Sequence, residues 1–178
     1  MDSINKNQPE KNQEDLKTSD AIKKIRELIK SAQSCFFSTN PLSATSSGTR
    51  PMSVQKVDDN GNLWFLSAND SYKNQEILAN HEVKLHFQGS AHSDFLYLEG
   101  IASITEDKNI IHELWEPILK VWFTEGENDP RISAIKVSPS SGYYWDNKHG
   151  DAIAGIKMLI GASLGKTLDD SIEGEIRL

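Results

Sequence analysis

The stretch RPMSVQKVDDNGNLWFLSANDSYK, Arg50 to Lys73, decides how the rest of the chain is read. Strand-forming runs flank the turn residues Asp58 to Asn62, and Asn60-Gly61 is the strongest short hairpin signal available. The runs are therefore expected to pair antiparallel. With Asn60 and Gly61 as the loop, Asp59 faces Asn62, and counting outward puts Val57 opposite Trp64, Gln55 opposite Leu66 and Arg50 opposite Ser71. Lys73 follows, so a guanidinium, a hydroxyl and an ammonium converge at the open end of one hairpin. Arg supplies a rigid bidentate fork, Lys a mobile point charge and Ser71 a short donor, a combination suited to a phosphate. The alternative makes Arg50 and Lys73 ordinary surface cations beside Asp70 and Glu76, because most surface ion pairs contribute little.

Composition narrows the partners. A chain of 178 residues suits one domain with a sizeable core. The formal charge of −7 and pI near 5.2 argue against a nucleic-acid binder, so an anionic ligand needs a local positive site. The single cysteine, Cys35, excludes an intrachain disulfide and fits a reducing compartment; its apolar surroundings point to a buried structural thiol. The N-terminus lacks the basic and apolar regions of a signal peptide, and no run is long enough to span a bilayer, which makes cytoplasmic the expected location.

In chain order, residues 1–17 are polar and read as a disordered tail. Ser19 or Asp20 can cap a helix with Ile22, Ile25, Leu28 and Ile29 on one face and Lys23, Lys24, Arg26 and Lys30 solvated on the other. Ser34 to Thr39 reads as a strand, and Asn40 to Thr49 as a loop delivering Arg50. Asn74 to His81 suits a short helix whose first turn lies beside Ser71 and Lys73 and adds its amides to an anion site. Val83 to Gln88 and Phe95 to Thr105 follow as strands, then a helix capped by Asp107, a short helix leading into Trp122-Phe123, and closing strands Ile132 to Ser138 and Gly142 to Trp145. Asp151 to Leu164 reads as an amphipathic helix, and Thr167 to Leu178 as an acidic segment with no role. Short links and short helices between strands predict a mainly β chain, a small antiparallel Greek-key barrel with flanking helices. Residues 18–148 form its domain, and 149–178 pack on the barrel or on a dimer partner.

The residues name no catalyst. The histidines are scattered without metal-ligand spacing, and there is no nucleophile elbow and no Gly-rich phosphate loop. A bound cofactor that brings the reactive atoms explains that poverty. Trp122, beside a Gly-containing loop, can cover a flat ligand, or it belongs to core or subunit packing.

Arg50-Pro51-Met52, Trp64-Phe65, Ser71 with Lys73, Leu114-Trp115, Trp122-Phe123 through Asp129-Pro130, and Tyr144-Trp145-Asp146 together resemble the general stress protein 26 branch of the pyridoxamine 5′-phosphate oxidase-like flavoproteins. The resemblance spans roughly Ala21 to Asp146. It implies an FMN-binding split β-barrel, a homodimer with flavin at the subunit interface, and FMN as cofactor, with FAD as the alternative. Carried across, Arg50, Ser71 and Lys73 match phosphate-holding positions with Tyr72 between them. Pro51, Met52, Ser53 and Gln55 lie along the isoalloxazine, Leu66 and Ser67 line the ribityl chain, and Trp122 reaches the flavin from the other subunit. Gln55 stands where true pyridoxamine phosphate oxidases carry lysine, and the acidic tail lacks their substrate-gripping Arg and His. The resemblance therefore points away from vitamin B6 oxidation. It implies a flavin-dependent oxidoreductase acting on a small molecule, or else a stress protein that binds or senses flavin without turnover.

Overall fold

The computed structural model describes residues 11–43, 47–91, 93–149, 154–157, 159–160 and 170–178. The strands are β1 (Leu16–Lys17), β2 (Ser34–Ser38), β3 (Thr49–Ser53), β4 (Lys56–Val57), β5 (Leu63–Ala68), β6 (Glu82–Gln88), β7 (Phe95–Thr105), β8 (Ile132–Asn147) and β9 (Ser171–Arg177); the helices are α1 (Thr18–Ala32), α2 (Tyr72–Ala79) and α3 (Lys108–Leu114). Among the described residues the strands join one open nine-stranded sheet in the order β1-β9-β8-β7-β6-β2-β3, with β5 also on β8 and β4 on β5. Every ladder is antiparallel except β1 with β9. No described helix is long and apolar enough to cross a membrane.

The two expected closing strands are one long strand, β8. Its first half pairs with β5 through Ile132–Val137, its second half with β9 through Ser141–Asn147, and β7 runs along its other side. Pro139, which cannot donate to a ladder, falls where the β7–β8 register shifts at Glu99/Gly100. The bulge keeps the strand continuous where the sequence suggested a break.

The turn differs from expectation by one residue. Asp58 N–H donates to the Asn62 carbonyl at 2.9 Å, so Asp58 pairs with Asn62 and the loop is Asp59-Asn60-Gly61. A two-residue type I′ loop needs positive φ at both positions; Gly61 has φ +80° and Asn60 is not among the positive-φ residues. Asp58 anchors the turn by accepting from the Asn60 and Asn62 amides and from the Trp64 indole. Val57 therefore meets Leu63 and Lys56 meets Trp64. The larger correction is that Arg50 does not face Ser71: β3 lies on β2, with Arg50 opposite Phe37. The chain changes partner at Val54-Gln55, where Val54 N–H donates to the Gln33 carbonyl and Gln55 N–H to the Trp64 carbonyl.

Two apolar clusters hold the elements. In the larger, Ala21, Ile25 and Leu28 of α1 meet Phe37, Phe65, Leu85, Leu98 and Val137 of the sheet, with Phe37 and Phe65 edge to face at 5.2 Å. In the smaller, Ile111 and Leu114 of α3 pack with Leu119, Phe123, Ile132 and Leu66. Successive residues of β5 thus serve opposite faces: Phe65 and Ser67 turn toward α1 and α2, Leu66 toward α3.

The basic face of α1 is only partly solvated. Lys24 reaches Asp146 at 2.9 Å, and Arg26 donates to the Asp58 carbonyl at 2.7 Å. Residues 11–17, expected within a disordered tail, instead bond to the sheet: Glu14 N–H donates to the Glu173 carbonyl, and Tyr144 O–H to the Glu14 carbonyl. A Cβ at position 174 would sit 1.9 Å from the Glu14 oxygen, so the crossing requires Gly174. Within the acidic segment Thr167 to Leu178, Ser171–Arg177 form β9, and residues 167–169 lie outside the described residues. Of the expected helix over Asp151 to Leu164, residues 154–157 and 159–160 are helical; the rest lies outside the described residues.

Candidate functional site

Although the hairpin does not align Arg50 with Ser71, β2, β3, β5 and α2 bring the expected phosphate-holding side chains to one end of the larger core. Arg50 leaves β3 on the inward face and donates from Nη1 to Thr39 Oγ1 at 2.6 Å and from Nη2 to Glu76 Oε2 at 2.8 Å. Thr39 also donates to Glu76 Oε2, at 2.6 Å. Glu76 is buried, so it is the carboxylate that balances Arg50. The alternative pairing of Arg50 with Glu76 is thus present, but it uses only part of a guanidinium with five N–H donors.

Lys73 is in a different position. Its ammonium donates to Ser67 Oγ, and to Ser71 Oγ at 3.4 Å; among the described residues no carboxylate bonds to it. Burial, then the charge of Arg50, pull its pKa down from the ordinary lysine value to about 8, against an opposing pull from Glu76. Two cations and one anion leave surplus positive charge in a half-buried place, within a chain whose net charge is −7. That is the electrostatic condition for holding an anion. Ser71 caps α2, accepting from Asn74 N–H at 3.3 Å, so the helix begins at Tyr72 with its first amides directed toward this cluster.

The remaining expected residues divide. Met52 turns inward against the larger core, while Pro51 and Ser53 face out. Gln55 lies past the partner change, bonds from Nε2 to the Ser53 carbonyl at 3.3 Å, and with Ser53 lines a groove of about 800 Å³ against the end of α1. Leu66 sends its side chain into the smaller cluster, leaving only its backbone for a ligand. Tyr72 is exposed, and Trp122 is 64% exposed while Phe123 is buried, so Trp122 is not part of this chain's core. A second groove, about 680 Å³, is lined by Phe36, Pro51, His86, Phe95, Tyr97 and Trp145 on the outer face of the sheet. Neither groove is lined by Arg50, Ser67, Ser71 or Lys73, and the chemistry suited to an anion lies in that cluster.

The sequence reading missed Thr39, Asn74 and Ser133, and placed Glu76 only as a surface partner although it is buried. Ser133 carried a usable signal, a hydroxyl inside the apolar run Ile132 to Ile135, and it proves fully buried. Among the described residues no group of three or more His, Cys, Asp or Glu is arranged to hold a metal. His112 and His149 instead pair with Glu127 and Asp170, at 2.8 and 2.7 Å. Burial pushes the Cys35 thiol up to about 12, which makes it inert at neutral pH.

Residues 20–169 match the family model described as pyridoxamine 5′-phosphate oxidase like. The chain belongs to that family. Among solved structures of the same fold, a general stress protein 26 of Jannaschia sp. CCS1 superposes with a TM-score of 0.75 at 19% identity, covering 90% of this chain and 99% of that one. The general stress protein 26 of Bacillus anthracis gives 0.60 at 25% identity, over 69% of this chain and 92% of that one. A general stress FMN/FAD binding protein of Xanthomonas citri gives 0.56 at 20% identity, over 70% and 87%. Among curated proteins, Protein bli-3 of Neurospora crassa is 26% identical over 105 residues, 54% of this chain. The match spans about half the length of that relative. The order of short motifs was therefore a sound guide to the family.

Proposed function

We propose that this pyridoxamine 5′-phosphate oxidase-like chain binds FMN, with the flavin phosphate at the Arg50–Lys73 cluster, and serves as a flavin-dependent oxidoreductase. The observation that carries the reading is Lys73, a desolvated ammonium beside Arg50 that has hydroxyl partners and, among the described residues, no carboxylate bonded to it. The donor set fits a phosphate monoester: a guanidinium with donors to spare, an ammonium, and the first amides of α2. The Xanthomonas citri neighbour, an FMN/FAD binding protein, supports the same choice, with FAD as the variant.

β3 stands at one end of the sheet path, so among the described residues one side of its backbone has no ladder partner. That free edge, from Pro51 to Ser53 and on to Gln55, would carry the isoalloxazine on backbone groups and the Gln55 amide. Bound flavin supplies the two-electron chemistry; this chain's residues bind it, orient it and shield it from water. The split barrel belongs to the same proposal: β3 and β4 follow one another in the chain without pairing, which is where such a barrel would part.

The site is completed by a second copy. Phe36 stands in register between Pro51 and His86, and His86 faces Tyr97, which faces Tyr143, so a band of rings crosses the outer face of the sheet. Phe36 and Trp145 are exposed there, as is Trp122 elsewhere. An apolar face of this kind suits a homodimer, and Trp122 would reach across it toward the flavin.

Identifying the cofactor released from freshly purified protein tests the reading directly. FMN binding much tighter than riboflavin is the expected result, and no flavin uptake overturns it. Reduction by NADH or NADPH with turnover to an acceptor supports the oxidoreductase. Bleaching without turnover supports the second reading, a stress protein that holds or senses flavin.

A further inference from the structure

A one-way chain of hydrogen bonds runs beneath Lys73. Ser133 of β8 is fully buried and donates its hydroxyl hydrogen to the Ser67 carbonyl at 3.1 Å. Its oxygen must then accept, and it does so from Asn74 Nδ2 at 2.7 Å. This fixes the direction of the Asn74 carboxamide, which is itself only 1% exposed. Oδ1 faces the opposite way, where Ser67 Oγ donates to it at 2.7 Å and Ser71 Oγ at 3.1 Å. The Ala68 carbonyl for Ser67, and a Ser67–Ser71 hydroxyl contact for either serine, are longer alternatives, each at 3.3 Å, and yield to the shorter bonds on Asn74 Oδ1. A serine has one hydrogen to give, so both hydroxyls have committed theirs inward. What they present to Lys73 is lone pairs, and the ammonium donates to both.

We infer that Asn74, held by Ser133, is a positioning residue that makes the Ser67 and Ser71 hydroxyls acceptors for the Lys73 ammonium, so that Lys73 and Arg50, and not the serines, meet the anion. The inference rests on the phosphate reading above and refines it. Ser71, expected as a donor to the ligand, is instead part of a cradle for a cation. A hydroxyl that donates is also polarised into a better acceptor, which favours the charged form of the amine it receives from. The charged groups facing Lys73 are Arg50 from β3, which opposes its charge, and Glu76 from α2, which supports it. The serines supply the neutral part of that support.

The test uses the full chain without flavin, following the Lys73 side chain by NMR of labelled lysine, with Lys73→Arg to assign the signal. Ser133→Ala is small and leaves the fold in place, yet it frees the Asn74 amide to rotate and turn the serine O–H groups outward. Its Lys73 titration midpoint should fall by about half a pH unit or more relative to the native chain. Asn74→Leu should move it the same way. An unchanged midpoint in Ser133→Ala overturns the inference and reduces the network to packing. In a second arm, Ser71→Ala should retain most of the preference for FMN over riboflavin while Lys73→Met loses it; equal loss in both shows that Ser71 does donate to the phosphate and also overturns it. A native chain with no preference for FMN sinks the phosphate reading instead, and the Lys73 titration then decides the cradle by itself.

Discussion

Two ion-pair clusters of this molecule invite comparison, Asp129 with Arg131 and Arg50 with Glu76 and Lys73. In the first, one carboxylate meets one guanidinium through two side-chain bonds, at 3.0 and 2.7 Å, and Arg131 holds the Asp129 pKa down at about 2. Each partner stabilises the charged form of the other, and the account closes. In the second, Arg50 has its carboxylate, while among the described residues none bonds to Lys73, whose pKa moves in the unfavourable direction. A pair that lowers its own energy is structure. A charge that the fold keeps partly desolvated and unmatched is waiting for something, which is why the second cluster reads as a site.

The comparison can be broken most sharply at Arg50. Arg50→Ala leaves Glu76 buried without its cation and should cost on the order of 3 kcal/mol of stability, together with about 2 kcal/mol or more of FMN affinity. Chemical denaturation and flavin titration read the two losses separately, and unchanged affinity removes the phosphate assignment. Lys73→Met should weaken FMN by about 2 kcal/mol while leaving riboflavin unaffected and the fold no less stable, because a desolvated cation is removed. A large loss of stability would place Lys73 with the structural pairs.

At Lys73, stability and flavin affinity should run in opposite directions with pH. Lys73 in the folded chain titrates near 8, below its unfolded value of 10.5, so the folded state sheds the proton first. Its penalty is full below about 8 and is relieved between about 8 and 10.5, where this group makes stability rise with pH. FMN affinity should move the other way, falling above about 8 as the ammonium is lost. Asp129 has its folded pKa near 2, below the ordinary 3.8, so its contribution is present above 3.8 and disappears as pH falls toward 2. Asp129→Asn should therefore flatten acid unfolding while flavin titrations stay as they were. The smallest effect is expected from Trp122→Ala: little change in melting temperature, because the ring is exposed, but altered flavin fluorescence if the partner's ring is covered by it.

Much of the element order was legible because period-two and helical patterns are local. Phe95 to Thr105 emerges with the expected bounds, and Asp107 caps α3 by accepting from Asn109 N–H. What was not legible depended on single backbone choices. Asn-Gly pointed to a two-residue turn, and the added residue shifted the register; the change of partner at Val54-Gln55 depends on Gln33 and Trp64, which no local pattern near Arg50 reveals. The side chains of Arg50, Ser71 and Lys73 nevertheless lie in one cluster, because β2, β3, β5 and α2 bring them together by a different route. Its inner supports were not legible in the sequence. Asn74 and Ser133 are 59 positions apart and mean nothing until the strands place them in contact.

The parallel bridge of β1 to β9 has a further consequence. Leu16 and Ile176 are neighbours in space although they lie near opposite ends of the described chain, so their contact closes a very long loop and carries a high closure entropy. Such a contact should assemble last and open first. Amide exchange at Glu14 and Glu173 should thus outpace exchange in β6 and β7 under native conditions, making this seam the early reporter of loosening while the Arg50–Lys73 end of the sheet is still intact.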